Sequence, residues 1–116
     1  MDYLLLIYDS EADLAKLSEA EITAILKDYG GFTQSIQQSG NHKAGQQLQP
    51  VSTATTVRVR NGKRVVTDGP FAETREQLGG FYWIQAKDLD EALAIAERVP
   101  SARIGSIEVR PIVTGH

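Results

Sequence analysis

Two short runs are apolar on both faces of an extended chain, Tyr3-Leu4-Leu5-Leu6-Ile7-Tyr8 and Phe81-Tyr82-Trp83-Ile84. Successive side chains of a strand point to opposite faces. Tyr3, Leu5 and Ile7 therefore face one way, and Leu4, Leu6 and Tyr8 the other. A strand that is apolar on both sides needs cover on both sides. With 116 residues the chain forms one domain spanning 1–116, and only two helical segments in it are long enough to serve as cover. Two helices cover one face of a sheet. A monomer rarely exposes a contiguous apolar patch of more than a few hundred Å², so the uncovered face calls for a second copy of the same chain, most simply with two-fold symmetry.

The other elements follow from local patterns. Residues 2–9 make a strand, and residues 11–17 have room for a short helical turn. Ser18-Glu19-Ala20-Glu21 fits a capping box. Ile22, Ile25, Leu26, Tyr29, Phe32 and Ile36 then recur at helical spacing as one apolar stripe. Gly30-Gly31 predicts a bend or a close backbone contact, since each glycine costs about 0.5–1 kcal/mol relative to alanine in a helix. Gly40 suits the C-terminal cap. Residues 42–49 read as a weak, polar second strand ended by Pro50. Asn61-Gly62 between Thr55–Arg60 and Lys63–Thr67 is a tight-turn pair, which predicts a β-hairpin with Val57 opposite Val66 and Val59 opposite Arg64. Asp88 caps a second helix whose core residues are Leu89, Ala92, Leu93 and Ala96. Residues 106–113 close the chain as a strand, with Pro111 at an edge or a strand end. With the hairpin set aside the order is βαββαβ, an α+β chain of the ferredoxin-like plan.

Between hairpin and fourth strand lies Asp68-Gly69-Pro70-Phe71-Ala72-Glu73-Thr74-Arg75-Glu76, closed by Gly79-Gly80. Pro70 cannot donate to a ladder, and it biases Gly69 away from the helical region. Asp68 suits an Asx-type turn. Such an ordered loop on a rigid scaffold is a place where sites are built. Asp68 and Glu73 are candidates for a proton-transferring carboxylate pair. Arg75 suits an anionic group or an ion pair with Glu73 or Glu76. His42, at the start of the second strand, is placed to face a cleft, and His116 at the end of the chain is expected to be mobile. Two histidines so far apart, with no spaced third ligand, give no metal-site pattern, and no phosphate loop, nucleophile elbow or dinucleotide fingerprint is present. No cofactor is expected.

A net charge of −3 with 23% charged residues argues against nucleic acid as a main partner. The basic set Arg58, Arg60, Lys63 and Arg64 is confined to the hairpin, where solvent or a dimer partner accounts for it. The absence of cysteine removes disulfides and thiolate chemistry. Leu4–Ile7 is far too short to span a membrane and lacks a basic flank, so a cytoplasmic protein is expected.

VTDGPFAETREQLGGFYWIQ, the preceding AGQQLQP and the closing SIEVRP resemble the DGPF family of YCII-related proteins, over nearly the whole chain. Asp68, Gly69, Pro70, Phe71, Glu73, Arg75 (often lysine in the family) and Glu76 match its motif. The resemblance implies a ferredoxin-like subunit pairing into a dimeric α+β barrel. It also implies a cleft between the sheet and neighbouring loops. The reading ranked first is a small-molecule binder or enzyme with its site beside the Asp68–Glu76 loop, those motif residues and His42 contributing to ligand binding. The alternative the resemblance implies is a regulatory interaction module, since some members accompany alternative sigma factors and carry transcription-initiation labels; a dimer with no chemistry of its own stands as a further alternative. In the wider group a His–Asp pair is suggested as an active site, with the histidine on the first helix. Residues 18–39 here hold no histidine, and that pair does not transfer.

Overall fold

In the computed structural model, which describes residues 1–114, each long helix begins where a side chain can accept a free amide. The order is β1 (Asp2–Asp9), α1 (Glu11–Leu14), α2 (Glu19–Gln38), β2 (His42–Gln47), β3 (Thr55–Arg60), β4 (Lys63–Asp68), β5 (Gln77–Gln85), α3 (Leu89–Ala96) and β6 (Ser106–Pro111). Short 3₁₀ turns at Val51–Thr53 and Pro100–Arg103 complete it. His116 lies outside the described residues.

Ser18 accepts from the Glu21 amide, and the Glu21 carboxylate accepts from the Ser18 amide, which is the reciprocal cap its sequence suggests. Those hydrogen bonds to Ser18 hold the Glu21 carboxyl below its usual range. Asp88 accepts from the Glu91 amide in the same manner at α3. At the far end of α2, Gly40 adopts φ +80°, the left-handed conformation that ends helices. The helix runs unbroken through Gly30 and Gly31, and nothing lies within 4 Å of a Cβ placed at either. The expected bend or close contact is absent because both glycines sit on the solvent side of α2.

The main sheet is antiparallel with strand order β2-β5-β1-β6. This is the ferredoxin-like arrangement, with the two doubly apolar strands at its centre. Tyr3, Leu5, Ile7, Tyr82 and Ile84 bury one face against Phe32 and Ile36 of α2 and Ala92, Ile95 and Ala96 of α3. The opposite face holds the cross-strand pairs Leu4–Trp83 and Leu6–Phe81, all half-buried with no helix over them. β6 is an edge strand, and Pro111 is its last residue. β2 ends at Gln47, two residues earlier than its alternation suggests. β5 starts at Gln77 and takes Gly79 and Gly80 into the strand, with a register shift opposite Ile7 and Tyr8. These glycines therefore belong to the sheet and do not serve as a hinge leading into it.

β3 and β4 form their own two-stranded ribbon in the expected register, Val57 opposite Val66 and Val59 opposite Arg64. Asn61 at φ 53° and Gly62 at φ 74° make the tight turn. This ribbon stands away from the rest as an arm. The radius of gyration is 16.2 Å, against about 13–14 Å for a compact chain of this length.

Candidate functional site

The apolar stripe of α2 divides into two halves. Phe32 and Ile36 are sealed into the core, while Ile22 and Ile25 are half-buried and Leu26 is exposed. The N-terminal half of the helix stands off the sheet, and between them is a cleft of about 400 Å³. Its helical wall is Ile22, Ile25, Leu26, Tyr29 and Thr33, its sheet wall includes Ile7, Gly80 and Tyr82, and Leu14 and Ile104 flank one end. Two glycines keep the sheet wall open. A Cβ on Gly45 would lie 2.9 Å from the Tyr82 ring, and one on Gly80 would lie 2.8 Å from the Gln46 carbonyl oxygen.

Polar groups converge on this cleft. Ser101 Oγ donates to Asp9 Oδ2 at 2.8 Å, and the Tyr29 hydroxyl bonds the same Ser101 oxygen. With the Ser101 proton committed to Asp9, Tyr29 is the donor of that second bond, which gives a run Tyr29 to Ser101 to Asp9. Asp9 Oδ1 is buried and has no partner among the described residues. Burial raises the Asp9 carboxyl above its ordinary value and the neighbouring Glu76 carboxylate adds to the rise, while the Ser101 hydrogen bond opposes it. Burial likewise raises the Tyr29 phenol, with the Asp9 charge adding to it. Deeper in, the Tyr82 hydroxyl and Thr33 Oγ1 share a hydrogen bond of 2.7 Å, and Tyr82 packs edge-on against both Phe32 and His42. None of the lining residues is lysine or arginine.

Of the sequence candidates, His42 lines the cleft. Glu76 lies beside it, near enough for its charge to act on Asp9, and it accepts from Ser106 Oγ at 2.8 Å. Asp68, Gly69, Pro70, Phe71, Glu73 and Arg75 are not among the lining residues. Asp68 ends β4, Gly69 takes φ +94°, and Phe71 is 78% exposed. No side-chain hydrogen bond of Asp68, Glu73 or Arg75 is formed among the described residues, and the Asx-type bond expected at Asp68 is replaced by a backbone bond from the Gly69 amide to the Ala54 carbonyl at 2.7 Å. The loop thus borders the cleft at its Glu76 end while its Asp68 end roots the arm. Sequence inspection missed Asp9, Tyr29 and Ser101 as a group. A visible signal was an aspartate closing an otherwise apolar strand.

A ferredoxin-like α+β domain with an apolar cleft between helix and sheet, polar at one end, is the class of protein these features define. The chain belongs to the YCII-related domain family, which it matches over residues 1–114. It is 38% identical over 114 residues to an uncharacterised protein of Rhizobium meliloti (strain 1021), covering 97% of this chain and 92% of that one. Among solved structures it is similar to 5-chloro-2-hydroxyhydroquinone dehydrochlorinase (TftG) from Burkholderia phenoliruptrix AC1100, in complex with 2,5-dihydroxybenzoquinone. That likeness has a TM-score of 0.58 at 14% identity, covers 99% of this chain and 96% of that one, and concerns the fold.

Proposed function

We propose that the protein binds a small, uncharged ligand with an apolar ring and at least one hydroxyl in the cleft between α2 and the sheet, beside the Glu76 end of the Asp68–Glu76 loop. The observation that carries this is a buried carboxylate oxygen with no partner among the described residues, set beside largely apolar walls that hold no lysine or arginine. A buried acceptor without a donor costs on the order of 1–3 kcal/mol, and a ligand hydroxyl at that end would offset it. An anionic ligand would meet Asp9 with no lysine or arginine in the lining to neutralise it. The similar enzyme holds a single six-membered ring, 2,5-dihydroxybenzoquinone, which supports a ring-sized occupant for this cleft.

If the bound molecule is transformed, Asp9 is the group placed to take or return its hydroxyl proton, since burial raises its carboxyl above the ordinary value and makes it a better proton acceptor than an exposed carboxylate. The subunit pairs with a second copy through the uncovered face that holds Leu4, Leu6, Phe81 and Trp83. A concave cleft with converging polar groups favours this function over a regulatory module acting with a sigma factor.

The test is calorimetry with phenol, catechol and hydroquinone against benzoate and cyclohexane carboxylate. Binding of the neutral phenols that is lost in Asp9→Asn supports the proposal. Preference for the carboxylates, or binding indifferent to Asp9, overturns it.

A further inference from the structure

The cleft leaves the β3–β4 arm and the exposed Pro70–Glu73 segment at its root without a role. We propose that this arm is a clasp that closes on a second copy of the chain.

β3 and β4 pair with each other and pack substantially on no other element. An isolated two-stranded hairpin is marginal in water. Yet one face of this one carries Val57, Val59 and Val66 at 61%, 64% and 47% exposure, and Phe71 stands free at the root. These side chains form an apolar surface with nothing of its own chain to cover it.

The root is fixed. The Gly69 amide donates to Ala54, Thr56 Oγ1 donates to the Gly69 carbonyl at 2.8 Å, and the Val51 amide donates to the Glu11 carboxylate at 3.1 Å. The Glu11 amide in turn donates to the Gln77 side chain at 2.9 Å. The arm is therefore held out in a set direction, which lowers the entropy lost on docking.

The occupant follows from charge and dimensions. The arm carries Arg58, Arg60, Lys63 and Arg64 against one acid, Asp68 at the end of β4, a net charge of +3. The whole chain has net charge −3, so the remainder carries −6. A basic arm and an acidic body on one molecule are complementary between two copies, and a two-fold axis satisfies both arms at once. Strands of six residues extend about 20 Å, enough to cross the 18 Å thickness of a neighbouring subunit.

Sedimentation velocity over a concentration series tests the clasp with Val57→Lys/Val59→Lys and with Arg58→Glu/Arg64→Glu. Val57, Val59 and Arg64 are exposed and Arg58 is half-buried with a hydrogen bond to the Phe71 carbonyl, so unchanged thermal melting of each variant's monomer separates loss of docking from loss of folding. The expected result is a wild-type dimer whose dissociation constant rises about tenfold or more in each variant and rises with added salt. Trypsin should nick the arm slowly in the dimer and rapidly in the variants. A wild-type constant retained by both variants overturns the clasp, as does a wild-type chain that stays monomeric. So does an arm cut equally fast in dimer and monomer, or tight binding of random duplex DNA that Arg58→Glu/Arg64→Glu abolishes. Phenol binding in the cleft is read separately, so failure of the clasp leaves the cleft untouched.

Discussion

Ser101 donates to Asp9 Oδ2 at 2.8 Å across 92 positions of sequence and so ties the 3₁₀ turn before β6 to the end of β1. Ser101 is almost fully buried, and its oxygen also receives the Tyr29 hydroxyl from α2. Three separate elements thus meet at one hydroxyl, at the polar end of the cleft.

Asp9 should make stability depend on pH. Its folded pKa is raised above the ordinary 3.8, by burial first and by Glu76 second, against the lowering effect of the Ser101 bond. An acid with a higher pKa folded than unfolded contributes stability that is complete below the ordinary value and is lost as pH rises through the folded value. Relative to Asp9→Asn, the wild-type unfolding free energy should fall as pH climbs from about 3.8 and level off above the folded pKa. Urea titrations of both proteins at a series of pH values measure this. Parallel pH profiles would mean that the carboxyl titrates as it does in the unfolded chain.

Ser101→Ala and Tyr29→Phe should differ in cost although each removes one hydroxyl. Tyr29→Phe takes away a single bond and leaves Ser101 still bonded to Asp9, a loss of about 0.5–1.5 kcal/mol. Ser101→Ala leaves both the Tyr29 hydroxyl and Asp9 Oδ2 without that partner, and unsatisfied buried groups cost about 1–3 kcal/mol each. Chemical denaturation should therefore rank Ser101→Ala as clearly the more damaging. Equal losses would show that the three groups do not act as a connected run.

Much of the scaffold is written in local patterns. The capping residues Ser18 and Asp88, the Asn61-Gly62 turn and the two doubly apolar strands each depend on neighbours within a few residues, and each is found where its pattern puts it. The cleft is different in kind. Ile22 and Ile25 continue the same periodic stripe as Phe32 and Ile36, so periodicity places all four on one face, but it carries no information on how far that face stands from the sheet. The meeting of Asp9, Tyr29 and Ser101 is likewise a product of tertiary packing. The Asp68–Arg75 motif is conspicuous in sequence because it is a forced turn, and the structure puts that turn at the root of the arm.

The open sheet face gives a separate test of pairing. Leu6 stands opposite Phe81 there, half-buried within its own subunit. A lysine at this position can extend its ammonium into solvent in a single subunit, but it would be trapped against apolar side chains under a partner, at a cost of several kcal/mol. Leu6→Lys should therefore leave a folded chain that sediments as a monomer. A Leu6→Lys dimer of wild-type affinity would show that this face is not where two copies meet.

Two glycines should respond to alanine in opposite directions. A Cβ on Gly105 would fall 2.1 Å from the Tyr8 carbonyl oxygen and 2.7 Å from Asp9 Oδ1. The first of these atoms is backbone in a strand paired on both sides, so it cannot swing clear as a flexible side chain would. Gly105→Ala must push the start of β6 away from β1 and disturb the Asp9 carboxylate. Overpacking of this kind costs about 1–3 kcal/mol or more. Gly30 sits within α2 with nothing within 4 Å of an added Cβ, so alanine there lowers only the entropy of the unfolded chain and should stabilise by about 0.5–1 kcal/mol. Thermal melts of the two single variants, read against wild type, should move apart in sign. A stabilised Gly105→Ala would mean that β6 is free to shift, and with it the turn that holds Ser101 against Asp9.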